Sequence, residues 1–338
     1  MIKGSRREAK EKVISTKRRR LDKSNAIKKA VGIAISRDRL AIIAGRLTGS
    51  NLILLDANSS FFTTNESNNM DANVMSSAEL QAFILRNRVR NWPAIISIPN
   101  DRVIVRYMKM PVVPDEALRQ MVSIEIGNTI HLPFEDPVFD VISVKPLSEL
   151  EEGMQSIVLI AAPKKLILEM ADIVKNVGLK PMAIDLEPIA LWRYARRNLI
   201  DLAGLTVLID LREQLISFSI FLDDSLYFLR EVDGDFTFDL TNSEGNIATV
   251  INDINYELNR VMNFFNFSLA GTTLSANQIL LYTYFDDAID VANALANQLG
   301  ITVIAMSVKD RLRQPSWVSQ PFENRVMGAI GLLLRGRV

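Results

Sequence analysis

The chain contains no cysteine, which excludes disulfides, thiolate zinc sites, iron–sulfur clusters and cysteine nucleophiles. Histidine is nearly as scarce. His131 is the single one, so histidine-rich metal centres are excluded too. With no elbow motif and no acidic partner motif around it, that imidazole reads as structural rather than as the base of a nucleophilic triad. The sequence has no Gly-x-x-x-x-Gly-Lys-Ser/Thr loop and no Gly-x-Gly-x-x-Gly. No apolar run approaches the roughly 18 to 20 residues of a membrane-spanning helix. The carboxylate pairs Asp223-Asp224 and Asp286-Asp287 suit turns and helix starts, and the 12 methionines fall mostly on apolar faces, as core residues do. None of this is positive evidence for an enzyme.

What is present is a chain of 338 residues, 48% of them apolar, enough for two domains of ordinary size. Its 39 basic and 39 acidic residues cancel, but they are not evenly spread. Residues 1–30 hold 12 Lys/Arg and 3 Asp/Glu, a net +9, which leaves −9 for the remainder. This basic head (Arg6-Arg7, Lys17-Arg18-Arg19-Arg20, Lys28-Lys29) has too few apolar residues to pack and lacks the apolar stretch of a secretory signal. It reads either as a solvated tail or as an attachment to an anionic membrane surface, at roughly 1 kcal/mol per basic residue. Nucleic acid is disfavoured as a partner, because no base-stacking aromatics accompany the charge.

Residues 31–56 alternate apolar and polar through Val31, Ile33, Ile35, Leu40, Ile42, Ala44 and Leu52–Leu55, which predicts a three-stranded antiparallel meander. Ser76–Glu79 has capping-box spacing ahead of a short helix, and Ala94–Ile98 reads as a buried strand. A compact β-α-β-β-α-β unit follows, with helices opening after Pro114 and at Pro163, the second stopping at Gly178, and Pro181–Leu186 as its last strand. Then the opening pattern returns. Val207-Leu208-Ile209-Asp210-Leu211-Arg212 overlays Val31-Gly32-Ile33-Ala34-Ile35-Ser36 in its alternation, and Leu215–Leu222 and Leu226–Val232 complete a second meander. Helical spacing is clear in Ile247, Val250, Ile251, Ile254, Leu258, Val261 and Phe265, and a closing helix is marked by Val326, Met327, Ile330 and Leu334. The repeat predicts a duplicated α/β architecture with a unit inserted in its first half.

Several stretches carry a family resemblance. Ile98-Pro99, Met108-Lys109-Met110-Pro111, Asp115-Glu116-Ala117-Leu118 and Ile130-His131-Leu132-Pro133-Phe134 follow one another in order. Ala161-Ala162-Pro163-Lys164-Lys165, Gly178-Leu179-Lys180-Pro181 and Gly328-Ala329-Ile330-Gly331 follow further along. In order and spacing these resemble the PilM family of type IV pilus assembly proteins, relatives of the cell-division protein FtsA, over about residues 29–335. The resemblance implies an α/β, duplicated, two-lobed actin-like (ribonuclease H-like) fold with an inserted β-α-β-β-α-β subdomain. The expected division is a disordered basic extension at 1–28, a first lobe at 29–100 and 187–204, the insertion at 101–186 and a second lobe at 205–338.

The family's nucleotide loops are where the sequence departs. Where a member has Asp, Gly and two small residues, this chain has Ala34, Ser36, Arg37 and Asp38. In the second phosphate loop Asp210 remains, but Arg212 replaces the glycine that would let phosphate approach. The adenosine-side glycines align near Thr283 and Tyr284. ATP with magnesium is what the resemblance implies as cofactor. The degraded loops lead instead to the expectation of no bound cofactor, no metal and no hydrolysis, with a noncanonical anion site on Arg37 and Arg212 left open. The resemblance further implies a cytoplasmic scaffold at the inner face of the membrane, working with other pilus components and holding the short cytoplasmic tail of a PilN-like membrane protein. Met108, Met110, Pro111, Ile130, Pro133 and Phe134 are the expected wall of its groove, with core and turn packing as the plainer reading of each. Two alternatives stay open at this point: an actin-like ATPase that polymerises, and the cytoplasmic domain of a type II secretion platform protein.

Overall fold

In the computed structural model the described residues are 28–48, 51–61, 77–198, 202–234, 236, 244–285, 288–308 and 324–335. The basic head up to residue 27, Ser76 of the expected capping box and the Asp286-Asp287 pair lie outside them.

Two five-stranded sheets with the same wiring carry the architecture. In the first, β1 (Lys29–Ile35), β2 (Arg39–Thr48) and β3 (Asn51–Phe61) form the antiparallel meander, and β4 (Pro93–Ile98) runs parallel to β1. In the second, β9 (Leu205–Leu211), β10 (Leu215–Leu222) and β11 (Ser225–Asp233) repeat the meander, and β12 (Gln278–Thr283) runs parallel to β9. Each sheet ends in one more parallel strand, β8 (Lys180–Leu186) beside β4 and β13 (Thr302–Ala305) beside β12. The two orders, β3-β2-β1-β4-β8 and β11-β10-β9-β12-β13, are the expected duplication.

Helices cover these sheets because the strands are apolar on both faces. Every residue of β9 is buried. Val207 and Ile209 pack towards α5 (Glu244–Phe264) and α6 (Ala288–Leu299), whereas Leu208, Leu280 and Tyr282 join the core of the first lobe. Trp192 stacks on Phe221 across the same junction, ring centroids 4.4 Å apart and planes within 4°. The lobes therefore share one continuous apolar seam.

Between β4 and β8 the chain makes β5 (Ile104–Pro111), α2 (Asp115–Glu125), β6 (Pro137–Val144), β7 (Met154–Pro163) and α3 (Lys164–Asn176). Strands β5, β7 and β6 form a separate three-stranded sheet, with α2 closing a small core of Met110, Leu118, Val122, Ile130, Ile157 and Leu159. Two placements differ from the sequence reading. Strand β8, expected inside the insertion, pairs with β4 in the first large sheet. The closing helix α7 (Met327–Leu333), expected in the second lobe, packs on β1 and on α4 (Glu187–Asn198) in the first. Strand pairing and helix docking join residues far apart in the chain, so a local apolar pattern locates an element without naming its neighbour. Helix α4 itself was not read from the sequence, although Pro188 in its first turn and the buried Leu191, Trp192, Tyr194 and Ala195 were available signals.

Candidate functional site

The three degraded loops meet at one place, where β1, β9 and β12 end between the lobes. Crevices beyond the carboxyl ends of parallel strands are where α/β folds bind ligands. Here the crevice is filled by side chains of the protein itself. Arg212, fully buried at the start of the β9–β10 turn, donates to Asp210 twice, Nε to Oδ1 at 3.0 Å and Nη2 to Oδ2 at 2.5 Å. Its Nη2 also donates to Glu187 Oε2 at 3.0 Å, and its Nη1 reaches Asp38 Oδ1 in the opposite lobe at 2.7 Å. A second buried guanidinium, Arg39, donates to Glu187 Oε1 at 2.8 Å and to the Tyr282 hydroxyl at 2.8 Å. Tyr282 in turn donates to the Asn324 carbonyl at 3.2 Å. Two cations and three carboxylates thus tie β2, β9, β12 and α4 together.

The electrostatics follow from burial set against these partners. Burial alone would lower the Arg212 guanidinium, but Asp210, Glu187 and Asp38 more than reverse it, so its pKa lies well above the ordinary value. Asp38 is pushed up by burial and pulled further down by Arg212 and Arg39, which leaves it lowered. Burial raises the Asp210 carboxyl against the pull of Arg212. Nearby on β11, Glu231 is raised to about 7, chiefly by burial, opposed by Arg212 and reinforced by Asp101 and Asp210. Its Oε2 has no hydrogen-bond partner among the described residues.

This carboxyl makes stability depend on pH. Its folded value near 7 exceeds the ordinary 4.5, so the protonated form belongs to the folded state, and its contribution is complete below pH 4.5. Stability then falls as pH rises to 7, by at most about 3 kcal/mol. Urea melts at pH 5 and pH 7.5 should show this loss in the parent and not in Glu231→Gln; equal pH responses in the two would refute the assignment.

The remaining loop residues have local roles. Ala34 is 2% exposed within the core, so the position that carries a metal-holding carboxylate in the resembled family presents a methyl group. Ser36 Oγ donates to Asp38 Oδ1 at 3.0 Å. Arg37 bridges to Asp233 across the lobes at 2.6 Å near the surface. Thr283 Oγ1 accepts from Phe285 N at 3.3 Å, and Arg39 and Arg325 lie over the Tyr284 ring at 5.8 and 5.5 Å. Among the described residues no group of three His, Asp or Glu is arranged to hold a metal ion. A magnesium-bound triphosphate needs oxygen ligands and free amides, whereas Asp38, Asp210 and Glu187 are each already held by a buried guanidinium. The donor set does not suit that group. Arg39, Glu187 and Tyr282 were not read as site residues, and only their type, charged or polar within apolar strands and at a helix start, could have flagged them.

An open site lies elsewhere. A cavity of about 670 Å³ runs between the exposed face of β6 (Val138, Ile142), helix α3 (Ile167, Ala171), the outer edge of β8 (Pro181–Asp185) and α4 (Ile189, Arg193). None of the six residues expected to wall a groove lines it. Met110 and Ile130, at 7% and 1% exposure, belong to the small core under α2, and Met108 packs against that core. Phe134 is half-buried, Pro111 is exposed at the end of β5, and Pro133 is exposed in the bend before β6. The physical reason is the two-faced sheet: Met110, Ile157 and Leu159 are turned to α2, whereas on the other face Val138, Ile142 and Ile160 line the groove and Tyr107 and Val158 join the core of the second lobe. His131 is exposed, and its carbonyl accepts from Arg106 at 3.4 Å.

No family model matches the sequence, and no curated protein matches it. Among solved structures, a chain of a PilM–PilN type IV pilus biogenesis complex superimposes with a TM-score of 0.70 at 22% identity, over 92% of this chain and 99% of that one. A Bacteroides thetaiotaomicron protein with an actin-like ATPase fold gives 0.41 at 12% identity, over 85% and 93%. The cytoplasmic domain of EpsL, an inner-membrane component of the type II secretion system of Vibrio cholerae, gives 0.45 at 8%, over 90% and 94%. The protein has the two-lobed actin-like fold, in the form seen in the PilM–PilN complex.

Proposed function

We propose that this chain is a non-hydrolysing actin-like scaffold of a type IV pilus or related secretion assembly. In this reading it sits at the cytoplasmic face of the inner membrane and holds the extended tail of a PilN-like membrane protein in the groove between β6 and β8. The observation that carries the reading is the contrast between its two candidate sites: the interlobe crevice is packed with internal ion pairs, and the apolar groove beside the inserted unit is open. The groove suits an extended peptide. Strand β6 pairs only with β7 and β8 only with β4 among the described residues, so each leaves one edge for backbone pairing, while Val138, Ile142 and Met182 are 39–44% exposed and available for side-chain contact. The likeness to the PilM–PilN complex supports a partner of that kind. Among the described residues no helix is long and apolar enough to cross a membrane.

Two titrations test this. Fluorescence anisotropy with a cytoplasmic tail peptide of the PilN in that PilM–PilN complex should show saturable binding, weakened at least tenfold by Ile142→Asp or Met182→Asp. Calorimetry with ATP and magnesium should show no binding. Tail binding untouched by both groove substitutions, or micromolar ATP affinity with turnover, would overturn the proposal, the latter in favour of a polymerising ATPase.

A further inference from the structure

The wall of the groove contains one polar group whose needs are not met. Arg193, on α4, donates through Nη2 to Asp185 Oδ2 at 2.7 Å, but its Nη1 is buried and has no acceptor among the described residues. Asp185 is already engaged through both oxygens. Its Oδ2 also accepts from Arg335 at 2.8 Å and its Oδ1 from the Leu186 amide at 2.9 Å, and its side chain is 5% exposed. Two guanidiniums therefore share a single carboxylate, and this end of the groove carries a net positive charge. At the far lip Arg119 and Asp140 face each other at 3.4 Å and cancel. The remainder of the wall, from Ile98 and Val103 to Ala171 and Ile189, is apolar.

Asp185 neutralises only one of the two guanidiniums, and the side chains of Arg193 and Arg335 are 16% and 39% exposed, so the excess positive charge is available to an acceptor in the groove. An ionised acceptor suits a guanidinium best, because the bond is charge-assisted and can be two-pronged. We infer that the groove selects an extended apolar peptide carrying one side-chain carboxylate, Asp or Glu, seated on Arg193 with Arg335 alongside. The apolar stretch supplies contact with Val138 and Ile142, and the carboxylate sets the register in which the peptide lies. A lysine at that point would meet two like charges, so the same arrangement excludes basic peptides. This rests on the peptide-binding reading of the groove.

The test uses the full chain and synthetic nine-residue peptides of Ile, Leu, Val and Pro with one central position set to Asp, Asn, Ala or Lys. Each is made with a free and with an amidated C-terminus. Binding of the amidated Asp peptide should exceed that of the Ala peptide at least tenfold, and the Lys peptide should be weakest. Arg193→Met should reduce the Asp-over-Ala ratio to below threefold. Arg193→Lys, which keeps the charge and Asp185 paired, should retain part of the preference and covers the case in which the Met variant folds poorly. Equal binding of amidated Asp and Ala peptides, both abolished by Ile142→Asp, would overturn the acidic selectivity and leave the groove reading standing. Preference confined to free C-termini would overturn it in favour of a terminal carboxylate. Peptide binding indifferent to Ile142→Asp would overturn the groove reading itself.

Discussion

Replacing Arg212 with methionine should lower the melting temperature by about 5 °C. The guanidinium makes four hydrogen bonds to Asp210, Glu187 and Asp38 in a crevice where its side chain is 2% exposed. Methionine fills much of the space but returns no charge, so Asp210 is left buried beside Glu187. Breaking a buried pair from one side costs about 3–5 kcal/mol, which in a chain of this size corresponds to a shift of about 5 °C. The cost lies in the carboxylate left behind more than in the value of the pair, and this gives the control. Arg212→Met combined with Asp210→Leu removes both charges, leaves Glu187 on Arg39, and should regain most of the lost stability. Differential scanning calorimetry of the parent and both variants decides the matter. A single variant melting within 2 °C of the parent would show that the crevice holds no such lock.

Gly331→Ala is expected to be at least as damaging, through packing alone. Helix α7 lies so close to α4 that a Cβ at residue 331 would fall 1.9 Å from the Ala190 carbonyl oxygen and 2.4 Å from its carbon. Those are backbone atoms in a helix and cannot rotate away. Either α7 lifts off the first lobe or the substitution is not accommodated, at a cost of about 3 kcal/mol or more. Gly328 shows the same closeness with a different neighbour. A Cβ there would meet the Glu187 carboxyl, 2.4 Å from Oε1, so Gly328→Ala acts by displacing the group that joins Arg39 to Arg212. Gly328→Ala and Arg212→Met should therefore be non-additive, whereas Gly331→Ala and Arg212→Met should add. Chemical denaturation of the singles and doubles measures this; a full sum for the first pair would separate α7 from the ionic network.

The helix also shows where reading the chain reaches its limit. The Gly328 and Gly331 spacing was visible as a family-like closing segment, but that these glycines face Glu187 and Ala190 is a matter of docking between segments some 140 residues apart. The same limit applies to the crevice. Asp38, Asp210 and Arg212 could be picked out because they sit where a phosphate loop would need small residues. Arg39, Glu187 and Tyr282 could not, since each becomes meaningful only beside a partner in another element, 148 residues away for Arg39 and Glu187 and 243 for Arg39 and Tyr282.

By itself, the sequence determined the two meanders, the positions of the helices and strands between them, and the residue types at Ala34 and Arg212, a methyl group and a guanidinium. Each of those is a statement about residue type and short-range period, and alternation or helical spacing is dictated by the backbone geometry of a few neighbouring residues. Only the tertiary structure decided that β8 and α7 complete the first lobe, that Met110 and Ile130 are core, and that the open groove lies on the opposite face of the small sheet. Which face of an apolar element meets which partner depends on the total area buried and the charges paired across distant segments. No local window of the chain contains that sum.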